Sequence, residues 1–235
     1  ADRVIVVVDE AKERLVSIGA NPERIRVFGN TEPLRLVPDT PLPLDLANGP
    51  RIVYVGGVAP HRGLDTVLAA MPAVLATDSR ARLTIVGDGE SLGTLRAQTT
   101  ALHLDAAVTF TGRLPKDEAM DHIRDANIAL VPHHRSPHTD STIPHKLFQY
   151  MALGRPVLVS DCAPLARIVR ETGSGLVFRA GDAADLASRI GEIAAPEAAA
   201  VMAGAGRAAV LEHWNLEAEA PNLAGLYKEL AKGAG

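Results

Sequence analysis

Short apolar runs alternate with longer amphipathic stretches from one end of this chain to the other. Apolar runs of roughly four to eight residues, bounded by turn-forming residues, are typical of buried strands. We therefore expect strands at residues 4–8, 25–28, 51–55, 82–86, 108–111, 128–131, 157–160 and 175–178.

The stretches between these runs carry apolar residues at helical spacing, as Leu64, Val67, Leu68 and Met71 do. We expect helices at residues 12–18, 64–76, 91–102, 116–124, 146–153, 165–171, 183–194, 198–213 and 217–231. Strands joined by helices of about 10–15 residues indicate right-handed βαβ crossovers and a parallel sheet. The fold class is therefore α/β, with a Rossmann-like, doubly wound parallel sheet.

The composition agrees with this fold and excludes one class of partner. Hydrophobic residues make up 47% of the chain and aromatic residues only 3%, so the core must be aliphatic. An aliphatic core suits a parallel sheet that helices cover on both faces. The net charge of -4 and the pI of about 6.1 predict no nucleic-acid partner, because nucleic-acid-binding domains usually have a pI above about 9.

The single cysteine, Cys162, excludes an internal disulfide framework and a zinc site built on several cysteines. No apolar run approaches the roughly 20 residues that a membrane span needs. We expect a cytoplasmic chain, and any membrane contact of a full-length protein to be peripheral and made outside this segment. The chain starts without methionine and directly in an apolar run, so we expect it to be a fragment of a longer protein.

Five prolines lie between residues 31 and 50, namely Pro33, Pro38, Pro41, Pro43 and Pro50. Proline lacks the backbone donor and resists helix interiors and central strands, so this segment is predicted to be a linker. It separates a strand–helix–strand unit at 1–30 from the main Rossmann-like domain at 51–213. Residues 214–235 form the last segment, which is predicted to be helical.

Candidate ligand-binding residues follow the predicted strands, where ligands of doubly wound sheets bind. Gly56 and Gly57 let the backbone approach a phosphate, and Arg62 can grip one with two hydrogen bonds. The backbone at Gly112 and Arg113 can face a base. The segment 87–90, Gly-Asp-Gly-Glu, is interpreted as a simple turn into a helix.

The strongest candidate is the polar loop and helix between residues 140 and 157. The free amides of a first helical turn form an anion site. Lys146 lies in that turn, where the helix dipole alone would favour an acid, so a bound anion accounts for it. Gln149 lies three residues later on the same face and can reach two hydroxyl groups.

At this motif the sequence resembles the C-terminal domain of GT-B-fold retaining glycosyltransferases, especially family 4. The family's helix has the pattern P-x-K-L-x-E-Y-M-A-x-G-x-P-V, and the matching residues are Pro144, Lys146, Leu147, Tyr150, Met151, Ala152, Gly154, Pro156 and Val157. Residues 1–30 resemble the end of the family's N-terminal domain, and residues 51–63 its first C-domain strand and K-G loop. Residues 214–235 resemble the helix that returns to the N-terminal domain, so the resemblance covers nearly the whole chain.

The resemblance implies transfer of a sugar from a nucleoside-diphosphate sugar to an acceptor hydroxyl, with retention at the anomeric carbon. It assigns Arg62 and Lys146 to the diphosphate as the catalytic side chains. The other donor-binding positions are Gly56, Gly57, Gly112, Arg113, Ser141, Thr142, Ile143 and Gln149: the Ser141 and Thr142 amides cradle the phosphates, Gln149 holds the ribose, and the 112–113 backbone holds the base. The positive side chains replace a metal, so no metal and no cofactor beyond the donor substrate is expected. An acceptor sugar or glycan is expected to bind a missing N-terminal domain, and the isolated chain to be inactive.

This sequence departs from the family pattern at several positions. The family usually carries two glutamates eight residues apart, and here they are Ser141 and Gln149. A serine cannot supply a carboxylate to the transferred sugar, whereas glutamine can still hydrogen-bond ribose hydroxyls. Arg62 replaces the lysine of the K-G motif and keeps its charge, and Gly57 replaces an arginine.

Other interpretations remain open at this point. His133, His134, His138 and His145 suggest a metal site with Asp140, but no helical i, i+4 histidine pair supports it. The loop at 133–144 is instead expected to contact the donor sugar. A nucleotide-sugar epimerase of the same fold needs acidic groups around the sugar, which Ser141 does not supply. The altered glutamate pair also allows a non-catalytic scaffold module.

A dinucleotide-dependent oxidoreductase lacks support, because no G-x-G-x-x-G motif opens either segment. Cys162 and Trp214 are both interpreted as packing residues.

Overall fold

The computed structural model of the chain describes residues 2–233, so Ala1 of the predicted first segment and residues 234–235 of the predicted last one lie outside the described part. The strands are β1 (Val4–Val6), β2 (Ile25–Val27), β3 (Arg51–Val55), β4 (Arg82–Val86), β5 (Val108–Gly112), β6 (Ile128–Val131), β7 (Val157–Ser160) and β8 (Gly175–Phe178). The α-helices are α1 (Asp9–Ser17), α2 (Leu64–Thr77), α3 (Leu92–Ala101), α4 (Lys116–Asp125), α5 (Lys146–Ala152), α6 (Ala163–Thr172), α7 (Ala183–Ile193), α8 (Pro196–Glu212) and α9 (Leu216–Gly233).

Six strands form one parallel sheet in the order β5-β4-β3-β6-β7-β8. Counted from β3, this is the order 3-2-1-4-5-6 of a doubly wound Rossmann sheet. The chain winds outward from β3 in both directions, so the topological switch point lies between β3 and β6. Ligands of such sheets bind in the crevice beyond the carboxyl ends of the two strands at this point.

Alternating strand residues build a core on each face of the sheet. Val53, Val131 and Val159 pack in one buried cluster with helices α4, α5 and α6. Ile52 and Leu130 pack in the other cluster with α2, α3 and α7. Helices therefore cover both faces, and the predicted doubly wound α/β fold is confirmed.

The first unit, β1-α1-β2, forms a separate two-stranded parallel sheet. Its helix contacts the large domain, where Arg167 of α6 binds Glu10 of α1 at 2.7 Å. Helix α9 runs beside the small sheet, and Glu229 lies 3.8 Å from Arg3 and 3.6 Å from Arg26.

Buried arginines hold the proline-rich segment against the large domain. Arg155 is 1% exposed and donates to the carbonyls of Leu42 and Pro43, as well as to Ala126. Arg207 donates to the carbonyl of Pro38. The segment has a 3-10 turn at Leu34–Leu36 and a turn closed by the hydrogen bond from the amide of Gly49 to the carbonyl of Leu46, and otherwise forms an irregular, tethered connection.

The predicted bounds of β3, β4, β6, β7 and β8 match the structure, whereas several helices start earlier than predicted. Helices α6 and α8 begin at Ala163 and Pro196 because a proline in the first turn, Pro164 or Pro196, is compatible with a helix start. Helix α1 begins at Asp9, since acidic residues in the first turn interact favourably with the helix dipole.

Candidate functional site

Two adjoining cavities open at the carboxyl ends of the central strands. A cavity of about 730 Å³ is lined by Val55, Gly56, Gly57, Val86, Gly87, Asp88, Gly89, Arg113, Leu114 and Ala119. A smaller one of about 380 Å³ is lined by Val55, Gly56, Gly57, Arg62, His133, His138, Thr142, Pro144, His145, Lys146 and Gln149. The two share the wall at residues 55–57, where β3 ends, and together they form one cleft beside the switch point.

Lys146 is the central side chain of the smaller cavity. Its Nζ is buried and has no hydrogen-bond partner among the residues that the structure describes. The ammonium lies 3.8 Å from the centre of the Tyr54 ring. Burial, with a smaller contribution from the positive charge of Arg62, lowers the pKa of Lys146 well below its ordinary value. Among the described residues a protonated Lys146 therefore has no counter-charge, and the lowered pKa favours its neutral form.

Tyr54 supplies an aromatic face and no negative charge. Its hydroxyl donates to the carbonyl of Gly57 at 2.6 Å, which fixes the loop after β3. Burial raises the pKa of Tyr54 to about 12, so the phenol stays protonated at neutral pH. Tyr150 supports the same strand end, where its hydroxyl accepts from the amide of Val55 at 2.9 Å.

Arg62 is the second cation of the cavity. Its Nη1 donates to Nε2 of His133 at 3.0 Å, while its Nε is buried without a partner among the described residues. Burial, then the charges of Lys146 and Arg62, lowers the pKa of His133 to about 2. The imidazole is therefore neutral, accepts at Nε2 and carries its proton on Nδ1.

Glycine is required where the loops meet. Gly63 ends the turn that carries Arg62, has φ of +69° and lies against the carbonyl of Pro132. Gly56 has φ of +139°, and a Cβ there would lie 2.5 Å from the Nζ of Lys146. A side chain at either position would push the loop or the lysine out of place.

The structure brings most of the predicted donor-binding residues to this cleft. Gly56, Gly57, Arg62, Thr142, Lys146 and Gln149 line the smaller cavity, and Arg113 lines the larger one. The carbonyl of Gly112 accepts from the amide of Gly87 at 2.9 Å and is therefore used within the protein.

The Ser141 half of the predicted amide cradle does not fit the described conformation, and the Thr142 half stays a prediction. The amide of Ser141 donates to the carbonyl of His138 at 3.1 Å, and its hydroxyl is held by Pro137 and Arg14. Ile143 is 2% exposed and packs in the core instead of lining a cavity.

Two first-turn amides of α5 are occupied too. Those of Leu147 and Phe148 donate to the carbonyls of Pro144 and His145, each at 3.1 Å. The amides of Ser141, Leu147 and Phe148 are thus not free for an anion, whereas Lys146 and Arg62 each have a buried nitrogen without a hydrogen-bond partner among the described residues.

Sequence reasoning missed several residues of the cleft. The segment at Gly87, Asp88 and Gly89, interpreted as a simple turn, lines the larger cavity. The sequence signal for this segment was the pair of glycines at the end of a strand. Glycine is needed at both positions because Gly87 and Gly89 lie against the carbonyls of Gly56 and Val58. Tyr54 carried no such signal, since an aromatic residue in a strand usually indicates only packing.

Glu32 was missed as well. This linker residue is buried, and its Oε1 lies 3.5 Å from Nε2 of Gln149. Its Oε2 lies 2.5 Å from Nε2 of His145, but the angles of this contact are not those of a hydrogen bond. Oε2 therefore has no hydrogen-bond partner among the described residues.

The other expectations concern metal and packing. Within residues 2–233 no three His, Cys, Asp or Glu side chains are grouped so as to hold a metal ion. Cys162 is buried, and Trp214 stacks on Phe148 with ring centres 5.3 Å apart, so both are packing residues as predicted.

None of the helices in the described part combines the length and apolarity needed to cross a bilayer.

Residues 49–195 match the protein family described as Glycosyl transferases group 1. The chain is 28% identical to D-inositol 3-phosphate glycosyltransferase from Acidothermus cellulolyticus, over 97% of this chain and 53% of that protein. It is 29% identical to the GDP-mannose-dependent alpha-(1-6)-phosphatidylinositol monomannoside mannosyltransferase of Mycobacterium tuberculosis, over 76% of this chain and 47% of that protein. The chain thus spans about half the length of the curated relatives it matches.

Among solved structures, sucrose-phosphate synthase from Thermosynechococcus elongatus superposes with a TM-score of 0.83 at 26% identity. The superposition covers 99% of this chain and 59% of that one. It agrees with the predicted Rossmann-like domain of a GT-B protein.

Proposed function

Because the chain belongs to the family Glycosyl transferases group 1, we propose that it is the donor-binding half of a retaining glycosyltransferase. The donor is a nucleoside-diphosphate sugar, and the acceptor is a hydroxyl group of a sugar or glycan. The name of the mycobacterial relative, which gives GDP-mannose as its donor, supports this donor class.

One observation carries the proposal. The Nζ of Lys146 and the Nε of Arg62 are both buried at the wall of one cavity, and neither has a hydrogen-bond partner among the described residues. Holding positive charge on both groups without a counter-charge is costly, and a bound anion offsets that cost. The diphosphate of a nucleotide sugar has the charge and the paired oxygens that these groups require.

The remaining residues divide the ligand between the two cavities. The base occupies the larger cavity beside Arg113, and the diphosphate lies at the shared wall of Gly56 and Gly57. Lys146 and Arg62 face the diphosphate, and Gln149 faces the ribose. Thr142 and His138 border the sugar.

The proposed catalysis is charge stabilisation and positioning. As the bond from the anomeric carbon to the diphosphate breaks, negative charge accumulates on the leaving diphosphate. Lys146 and Arg62 stabilise that charge in a buried site, where such interactions are strongest. In this proposal the two side chains replace a metal ion, and no cofactor takes part.

We place the acceptor site in the portion of the relatives that this chain does not span. The isolated chain then binds nucleotide weakly and transfers no sugar. In a full-length protein, the anomeric configuration of the product determines whether transfer proceeds with retention.

The test is titration calorimetry of the chain with UDP, GDP, ADP and NAD. Selective binding of one nucleoside diphosphate, unaffected by a chelator and lost in Lys146→Ala, supports the proposal and identifies the base. The matched control is Lys228→Ala, at an exposed position on α9, which should bind like the wild type.

A non-catalytic module of the same fold is the second candidate. The observation that favours it is Ser141, whose hydroxyl is held by Arg14 and Pro137 and supplies no carboxylate to the cavity. Absence of binding to every nucleotide at millimolar concentration would support this candidate over the enzyme.

A further inference from the structure

Glu32 is a buried carboxylate whose position is fixed from both sides. Its side chain is 2% exposed. Its backbone forms an isolated parallel bridge with Asn215, and its carbonyl accepts from the amide of Leu216 at 3.1 Å. The residue therefore joins the start of the linker to the start of α9, and these contacts hold its backbone in place.

The carboxylate contacts two residues of the smaller cavity on the side away from the cavity. Nε2 of Gln149 and Nε2 of His145 lie 3.5 Å and 2.5 Å from its two oxygens. Gln149 and His145 line the smaller cavity, and Glu32 does not. Glu32 thus acts on that cavity only through its neighbours.

The chemistry of this pair fixes the orientation of the glutamine. An ionised carboxylate only accepts hydrogen bonds, so the NH2 group of the Gln149 amide must face Glu32. The amide oxygen then faces the opposite way and is free to accept a hydrogen bond from a hydroxyl group. With a glutamate at position 149, a second carboxylate would lie about as close to Glu32, and two such groups cannot both ionise in a buried site.

We propose that Glu32 is a positioning residue of the donor site, which orients Gln149 so that its amide oxygen accepts a hydroxyl hydrogen of the ribose. Glu32 and Gln149 form a matched pair that holds one carboxylate and one amide. This pairing accounts for glutamine at a position where the family pattern has glutamate. The ligand part of the inference rests on the proposed donor binding, whereas the pairing itself does not.

The pairing is tested without ligand by exchanging the two side chains. Gln149→Glu should lower the Tm by about 2–4 °C, because it places two carboxylates together. Adding Glu32→Gln to this variant should restore the Tm, since the pair again holds one carboxylate. The matched control is Gln98→Glu, at an exposed amide that donates to the carbonyl of Asp65, and it should change the Tm little. A stable Gln149→Glu variant, or a double variant as unstable as the single one, would overturn the pairing.

The positioning role is tested with ribose analogues. The probes are inorganic pyrophosphate, the nucleoside diphosphate among UDP, GDP and ADP that binds most tightly, and its 2′,3′-dideoxy form. The wild type should prefer the ribose form by about tenfold, the size of a good hydrogen bond. In Glu32→Ala this preference should fall toward one, while pyrophosphate binding is unchanged. Glu32→Gln, which preserves the side-chain shape, should shift the preference in the same direction by a smaller factor.

The outcomes separate this inference from the proposed function. An undiminished ribose preference in Glu32→Ala and Glu32→Gln overturns the positioning role and leaves donor binding intact. If the wild type binds neither pyrophosphate nor any nucleoside diphosphate, the proposed function fails, and the positioning role fails with it.

Discussion

The ammonium of Lys146 lies 3.8 Å from the centre of the Tyr54 ring and has no hydrogen-bond partner among the described residues. The ring face attracts a cation, but this attraction offsets only part of the cost of removing the charge from water. The free chain therefore keeps a strained electrostatic arrangement at the place where the proposed diphosphate binds. Sites of this kind commonly trade stability for function.

The first prediction is that Lys146→Met stabilises the free chain and abolishes nucleotide binding. Methionine has a similar length and no amino group to desolvate or deprotonate, so the free energy of unfolding should rise by about 1–2 kcal/mol. Urea unfolding measures the change, and the exposed Lys228→Met is the control, which should alter stability by less than about 0.5 kcal/mol. A Lys146→Met variant less stable than this control would show that the ammonium is satisfied in the free chain.

The second prediction is that nucleotide binding takes up a proton at alkaline pH. Burial lowers the pKa of Lys146 well below its ordinary value, so the free chain holds fewer protons than a complex in which an anion restores that pKa. Calorimetry of the bound nucleoside diphosphate at about pH 8, in buffers of different ionisation enthalpy, measures the uptake. Lys146→Arg, which stays charged, should bind without it. Equal uptake in both proteins would assign the proton to another group.

The third prediction compares two adjacent glycines. A Cβ on Gly56 would lie 2.5 Å from the Nζ of Lys146 at a φ of +139°, whereas a Cβ on Gly57 meets nothing within 4 Å. Gly56→Ala should therefore destabilise the chain by about 1–3 kcal/mol, and Gly57→Ala by less than about 0.5 kcal/mol. Thermal unfolding of both variants measures the difference. Equal stabilities would mean that the loop after β3 relaxes without displacing the lysine.

The fold was predictable because its determinants are local. Strand β6 is aliphatic throughout, and β3 and β7 are mostly so; such runs between helices have few alternatives to a parallel sheet. Helix starts were less predictable, since the predicted helices at 165–171 and 198–213 began after Pro164 and Pro196, although proline is accepted in the first turn of a helix.

The cations of the site were predictable, but their surroundings were not. Arg62 and Lys146 could be predicted as ligand-binding residues because a positive side chain beside glycines or at a helix start indicates an anion site. The contacts of Glu32 with Gln149 and of Arg14 with Ser141 span 117 and 127 residues. Such contacts depend on how the linker and α1 pack against the large domain, and no local pattern encodes that packing.

The last prediction concerns acid stability and His133. Burial, with the charges of Lys146 and Arg62, lowers the pKa of this imidazole to about 2 in the folded chain, against about 6.5 when unfolded. Below about pH 6.5 the unfolded chain therefore binds one more proton than the folded chain, and stability falls as the pH falls. Each pH unit costs about 1.4 kcal/mol for this group. His133→Gln keeps an acceptor for Arg62 and removes the titration.

The variant should lose about 2 kcal/mol less than the wild type between pH 7 and pH 5. Urea unfolding at the two pH values measures this loss, and the exposed His213→Gln should lose as much as the wild type. A His133→Gln variant with the wild-type acid profile would mean that the imidazole can acquire a proton in the folded chain. The cavity would then tolerate a third positive charge beside Arg62 and Lys146, and the requirement for a bound anion would be weaker than the geometry indicates.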